Sequence, residues 1–373
     1  MSPAFSSARQ AAAFALLLAV LLTLPALVAK TGWLDRGDVY PAIAWKYGAF
    51  PWIQQKIFAE TKDVDMAFLG SSHIWAAVDT PYVQKKLTEQ LGRDAEVFTL
   101  GWAWQGFDAL YIIARDLLDH RHVHTLVIDD EGDSDVPHLI SSRWFRIGEN
   151  SEVLAGLPRI AQARLYGSAV LGMPRQLLSF VRPNLLEDPA RCHANFWNLT
   201  FRAPNLAEQR GALSSRLTYD SRRPLRPAPD ERDFFSFRPA GQASPADVLV
   251  YSAENHDAFK FTGPRIPPYQ LHFARKLARL CQERGTRLVL LHTPSLPERG
   301  LTVISERHWP DVLGAPVSII GIPPAKLFAG IPTADVPELF FNDPHFNQNG
   351  QDMFTQLITP ALLKQYAAST NRW

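Results

Sequence analysis

Hydrophobic patterning divides the chain into an apolar head, two stretches of regular strand–helix alternation, and an irregular insertion between them. The head runs from Ala11 to Ala29 without a single charge. Roughly 20 apolar residues rising about 1.5 Å each cross the hydrocarbon core of a bilayer, so this stretch predicts an N-terminal transmembrane helix. A cleavable signal would place small residues at the −3 and −1 positions. Cleavage after Ala29 puts Leu27 at −3, and cleavage after Val28 leaves a β-branched residue at −1, so an uncleaved anchor is expected. Arg9 on one side and Lys30 and Arg36 on the other leave the positive-inside rule nearly silent. The short N-terminal tail favours translocation of the domain behind it, which predicts single-pass insertion in the cytoplasmic membrane with the domain in the periplasm. Residues 1–32 are read as tail and anchor, 33–62 as a stalk, and 63–373 as one domain interrupted at about 136–265.

The first alternating stretch predicts strands over Asp65–Leu69, Ala95–Leu100 and Thr125–Ile128, with helices over Pro81–Leu91, capped by Thr80, and Asp108–Leu118. The pattern then breaks. Val136–Leu186 is helical but irregular, and Asp220–Pro245 is rich in Pro and Arg with Phe234, Phe235 and Phe237 among them. Alternation resumes with a helix over Tyr269–Glu283 stopped by Gly285, a strand over Arg287–Leu291, a strand near Val317–Ile320, and a final helix over Gln348–Tyr366 with Asn347 or Asn349 as its cap. Strands alternating with helices imply an α/β domain with a parallel sheet covered on both faces.

Composition narrows the function. Lys plus Arg number 38 against 37 Asp plus Glu, a net charge of +1, which leaves no electrostatic footprint for nucleic acid. The two cysteines, Cys192 and Cys281, leave both a single bridge and two buried thiols open. No residue pattern calls for a cofactor. The acidic run Asp129–Asp135 reads as a solvated loop or substrate contact, because successive residues on one loop rarely face one ion.

Ligands of parallel sheets bind at the C-terminal strand ends, and several reactive groups fall there. Ser71 and Ser72 follow the first strand, Gly101 the second, Asp129 to Glu131 the third, and His292 and Thr293 the fourth; Asp343 and His345 precede the last helix. Acyl transfer needs a hydroxyl nucleophile, a base, a group that orients the base, and N–H donors for an oxyanion. Ser72 on a Gly-Ser-Ser turn, His345 on a Pro-stiffened loop, Asp343 beside it and Gly101 supply one of each.

FLGSSH, FTLGWAWQGFDALY and NDPHFNQNG resemble the first, second and closing blocks of the SGNH/GDSL hydrolase superfamily, over roughly residues 60–130 and 265–370. The resemblance implies a flavodoxin-like three-layer sandwich around a central parallel sheet, with Ser72 as nucleophile, His345 as base, Asp343 as its partner, and an oxyanion hole from Ser72 and Gly101. Two departures stand out. The third block, Gly-x-Asn-Asp, is missing, with DDEGDSD in its place. The Asp-x-x-His position holds Asn342, so the orienting acid falls to Asp343, a spacing similar to that of alginate O-acetyltransferases. His73, Trp75, Trp102, Trp104 and His292 are candidate substrate contacts, the tryptophans as faces for sugar rings with ordinary packing as the alternative, and His292 with a satisfied strand-end position as the preferred alternative. The expected function is serine-dependent O-acetylation of an exopolysaccharide at the membrane, with a polysaccharide acceptor, a membrane acyl-donor protein and a synthase complex as partners. Acetyl or carbohydrate esterase activity, and a non-catalytic glycan-binding or scaffolding module, are the alternatives.

Overall fold

The computed structural model describes residues 5–43, 47–48, 50–129, 136–182, 243–261, 266–306, 313–315 and 317–370. Residues 183–242, with Cys192 and most of the Pro- and Arg-rich stretch, lie outside them, as do Asp130–Asp135.

The N-terminal apolar stretch forms one helix, α1 (Ala8–Thr31), long and apolar enough to cross a membrane. Ser7 caps it by accepting from the N–H of Gln10, and Gly32 ends it at φ 62°, a left-handed turn that glycine adopts without a Cβ penalty.

The domain is a mixed α/β fold. Among the described residues, β1 (Val64–Ser71), β2 (Val97–Trp102), β3 (Val123–Asp129), β4 (Leu249–Val250), β6 (Arg287–Leu291) and β8 (Ser318–Gly321) form one sheet in the order β2-β1-β3-β6-β8-β4, parallel except for the edge strand β4. β5 (Phe259–Phe261) pairs with β7 (Ile304–Glu306), and β9 (Phe340–Asn342) forms a hairpin with β10 (His345–Phe346). Period-two alternation sorts each central strand between two cores. Ala67, Leu69, Leu126 and Ile128 face one, while Met66, Phe68, Val127 and Val289 face the other.

The flanking helices are α2 (Ser72–Ala77), α3 (Thr80–Leu91), α4 (Phe107–His120), α5 (Arg159–Leu171), α6 (Met173–Val181), α7 (Pro268–Glu283) and α8 (Gln348–Thr370). The N-cap of α3 is Asp79, one residue before the expected Thr80, whose hydroxyl instead meets that of Thr99 at 2.9 Å. α4 and α7 pack together against one face of the sheet, α3 and α8 against the other.

The described residues of the expected stalk pack into the domain instead. Short helical turns over Arg36–Ala42, Phe50–Gln54 and Gln55–Ala59 bury Tyr40, Ile43, Phe50, Ile53 and Ile57 in the core beside α4. The mixed helical periods of this segment hid its apolar face from a search for regular spacing. A buried polar hub ties it down. Asp116 on α4 pairs with Arg36 and accepts the Tyr40 hydroxyl at 2.7 Å, and Arg36 also reaches Glu149. Burial pushes both the Asp116 carboxyl and the Tyr40 phenol above their usual ranges.

The start of the insertion is tied to the other end of α4. Asp108 accepts the His138 N–H at 2.8 Å, the Ser141 hydroxyl and the Gln270 amide at 3.3 Å. The ring of His138 lies 2.9 Å from the Ala103 carbonyl.

If residues 36–59 belong to the core, Ile57→Ala lowers unfolding free energy by about 2–5 kcal/mol, read from the urea midpoint of the detergent-solubilised chain. A change within about 0.5 kcal/mol, typical of surface sites, would mark the segment as separable.

Candidate active site

The Gly-Ser-Ser turn is built around one carboxylate. Asp129, buried at the end of β3, accepts both the backbone N–H of Ser71 (2.9 Å) and its hydroxyl (2.8 Å) on a single oxygen. Gly70 makes room for that approach, since a Cβ there would sit 2.7 Å from the same oxygen. Ser71 in turn caps α2 by accepting the N–H of His73 at 3.1 Å. Ser72 therefore emerges as the first residue of a helix, with its own N–H among those that lack an intrahelical acceptor.

The second half of the site arrives from the C-terminus. The hairpin β9–β10 carries Asn342 and His345 in register. Asn347 caps α8, its side-chain oxygen accepting the N–H groups of Asn349 (2.9 Å) and Gly350 (3.2 Å). Gly350 tolerates no Cβ, which would meet the Leu339 carbonyl at 2.2 Å. One turn further, α8 clasps the end of α2. Gln351 donates to the carbonyls of Trp75 (3.3 Å) and Val78 (3.2 Å), and the Thr355 hydroxyl bridges Ala77 and Asp79.

These contacts bring the Ser72 hydroxyl 2.8 Å from His345 Nε2, across 273 positions of sequence. The orienting residue differs from the sequence expectation. Asn342, not Asp343, holds the ring, its side-chain oxygen lying 2.6 Å from Nδ1 and accepting the His345 backbone N–H at 3.1 Å. Asp343 occupies the exposed turn of the hairpin, where its backbone carbonyl accepts the N–H of Leu296. In the hairpin geometry the residue three positions back faces the ring and the residue two back faces water. An amide oxygen near Nδ1 selects the tautomer with hydrogen on Nδ1, which leaves the Nε2 lone pair toward Ser72.

The surroundings disfavour positive charge. Burial, followed by the proximity of His73, pushes the His345 imidazole down to about 3. The His73 ring stands edge-on to it, centroids 6.0 Å apart.

The remaining candidates separate by burial. Trp75 and Trp102 are core residues. Trp75 packs on Gly101, where a Cβ would meet its side chain at 2.9 Å. Close packing under Trp75 therefore accounts for that glycine without reference to an oxyanion. Gly101 lies within β2, paired with Gly70. Trp104 is 56% exposed with φ 64°, a left-handed conformation that is an outlier for a bulky residue, and its ring lies 5.7 Å from that of Tyr47. His292 is buried at the end of β6, its N–H bonded to the Ile320 carbonyl and its ring 3.8 Å from Glu298. Cys281 is a buried free thiol, which burial pushes up to about 12.

Ser72 and His345 meet as expected, whereas Asp129, expected in a solvated loop or against substrate, is buried against Ser71, and Asn342, Gln351 and Thr355 join the site without having been expected there. The Asp-x-x-His spacing was the available signal for Asn342. No family model matches this chain, and neither a curated protein nor a solved structure matches it.

Because an unfolded histidine titrates near 6.5 and His345 stays neutral to about 3, the unfolded state binds the extra proton between those values. The contribution of His345 to stability therefore declines as pH falls through that window. Asn342→Asp places a carboxylate against Nδ1 and should raise the imidazole pKa, measured by NMR titration of labelled histidine. An unchanged titration would show that Asn342 is not the residue holding the ring in solution.

Proposed function

We propose that the chain is a membrane-anchored serine acyltransferase working through an acyl-Ser72 intermediate. The observation that carries this reading is the Ser72–His345–Asn342 chain of contacts, 2.8 Å and 2.6 Å long, at a sheet edge. The five parallel strands, counted in chain order, run 2-1-3-4-5, the order of flavodoxin-like folds, whose switch point lies between the first and third strands. Ser71 and Asp129 sit at that point. This placement supports the resemblance to SGNH hydrolases.

In the proposed step the Ser72 hydroxyl attacks an acyl carbonyl while its proton passes to His345 Nε2. Collapse of the tetrahedral species breaks the bond to the leaving group, which takes the proton back from Nε2. A second hydroxyl, deprotonated by the same nitrogen, then attacks the acyl carbon, and collapse breaks the bond to Ser72 Oγ, which recovers the proton from Nε2. The N–H of Ser72 is the oxyanion donor best supported by position; Gly101 is a second candidate.

A glycan hydroxyl is the proposed acceptor. The exposed Trp104 beside Tyr47, two residues past the strand position paired with Ser71, offers an aromatic face of the kind that stacks on sugar rings. Its strained backbone is the sort of outlier found at functional sites. The anchor reading has its own support. Leu24 and Val28 near the end of α1 pack with Leu34 and Met173 of the domain, a cluster that signal cleavage would dismantle. A domain on the periplasmic side, with a membrane acyl donor and a synthase complex as partners, completes the proposal.

A non-catalytic glycan-binding module is the second reading. It is favoured by Asn342, a neutral residue that leaves an imidazolium at His345 without a counter-charge.

Turnover of an acyl-ester reporter by the purified chain, compared with Ser72→Ala, separates the two readings. The expected result is loss of at least about a hundredfold; equal rates sink the catalytic reading. With an oligosaccharide acceptor present, mass spectrometry should find the acetylated glycan. Free acetate alone would make the protein an esterase.

A further inference from the structure

The helices beside the foot of α1 are arranged with apolar side chains outward. On α6 the residues facing the protein are Met173, Gln176 and Ser179, while Leu178 and Val181 face out one turn apart. This is not a helix waiting to roll over, because its inward polar groups are engaged. Gln176 donates to the Asp38 carbonyl at 2.8 Å and accepts from the buried Arg146 at 3.4 Å, and Ser179 donates to the Gln176 carbonyl. Arg175 is fixed to the Ala42 carbonyl at 2.9 Å. On α5, Ile160 and Leu171 lie on one exposed stripe with Arg164 between them. Trp33, Ile160, Leu171, Leu178, Phe180 and Val181 are between 38% and 84% exposed.

Two features identify the occupant. The surface is continuous with the apolar helix: Trp33, just past the end of α1, stacks on Phe180 at 6.2 Å, and Val28 packs with Met173. Its charge is of one sign, since residues 159–182 contain Arg159, Arg164, Arg175 and Arg182 and no acid. Apolar side chains with arginines around them, and an aromatic ring at the foot of a span, are the composition of helices that lie in the headgroup region of an anionic bilayer. We infer that α5 and α6 form a membrane-seating surface that rests in the same leaflet from which α1 emerges, holding the domain against the lipid. This rests on the reading of α1 as an uncleaved anchor.

The test uses the full-length chain in a Cys192→Ala background, reconstituted in phosphatidylcholine–phosphatidylglycerol vesicles. Cysteines introduced one at a time at Leu171, Leu178, Val181 and, as control, Glu89 on the opposite face of the sheet carry an environment-sensitive fluorophore, and the parent chain, which keeps only the buried Cys281, is labelled in parallel to subtract its signal. Lipids bearing a nitroxide near the headgroup should remove about half or more of the emission at the first three positions and little at Glu89. Alkaline carbonate extraction of the same vesicles reports on α1 separately. If the chain washes out, the anchor reading fails and the seating surface with it. If the chain is retained but the three probes behave like Glu89, the anchor stands and the seating surface is wrong.

Discussion

The carboxylate of Asp129 is the contact on which the candidate site rests. A buried carboxylate is expensive unless its lone pairs are engaged. Here one oxygen accepts two bonds from a single residue, Ser71, so the end of β3 and the end of β1 are locked in one arrangement. The lock determines where the chain leaves β1 and begins α2, and hence where Ser72 points. Gly70 belongs to the same device, because any side chain there would push the carboxylate away.

His345 is placed by an independent device at the other end of the chain. α8 is set by Asn347 and Gly350 at its start and by Gln351 and Thr355 against α2. Bringing ends 273 residues apart together has an entropic penalty that grows only slowly with loop length. The penalty is therefore compatible with the long insertion between them. What the arrangement withholds is charge. Asn342 can fix the tautomer and direction of the His345 ring as a carboxylate would, but it adds no field to favour the imidazolium. With His73 beside it and burial around it, the ring is kept neutral. An Asn in this role thus supplies orientation without basicity.

The parallel sheet was legible because buried strands such as Arg287–Leu291 are short apolar runs bounded by turn residues, and the observed strand has the same limits. The meeting of Ser72 and His345 is legible because turns at one sheet edge must converge. Asp343 was misassigned because the sequence shows spacing and not the hairpin that turns Asn342 inward and leaves Asp343 in water. The core role of residues 36–59 was hidden by short helical turns of differing period, against which no single hydrophobic repeat can be recognised. For Trp75 and Trp102 the sequence leaves sugar stacking and ordinary packing equally open, because it carries no sign that Gly101 makes room for Trp75.

α4 was read as an ordinary amphipathic helix, yet it buries two aspartates eight residues apart. Asp108 near its start holds the first residues of the insertion through His138 and Ser141. Asp116 near its end holds Arg36 and Tyr40, only a few residues beyond α1. Removing any one partner would leave a buried carboxylate short of a donor, so both segments are bound to the helix more firmly than their apolar contacts alone would require. The helix itself lies against the sheet whose edge carries Ser72. A span formed by α1 would therefore be joined to the site through packed residues and ion pairs instead of a flexible tether. The orientation of the site relative to that span would follow from the fold.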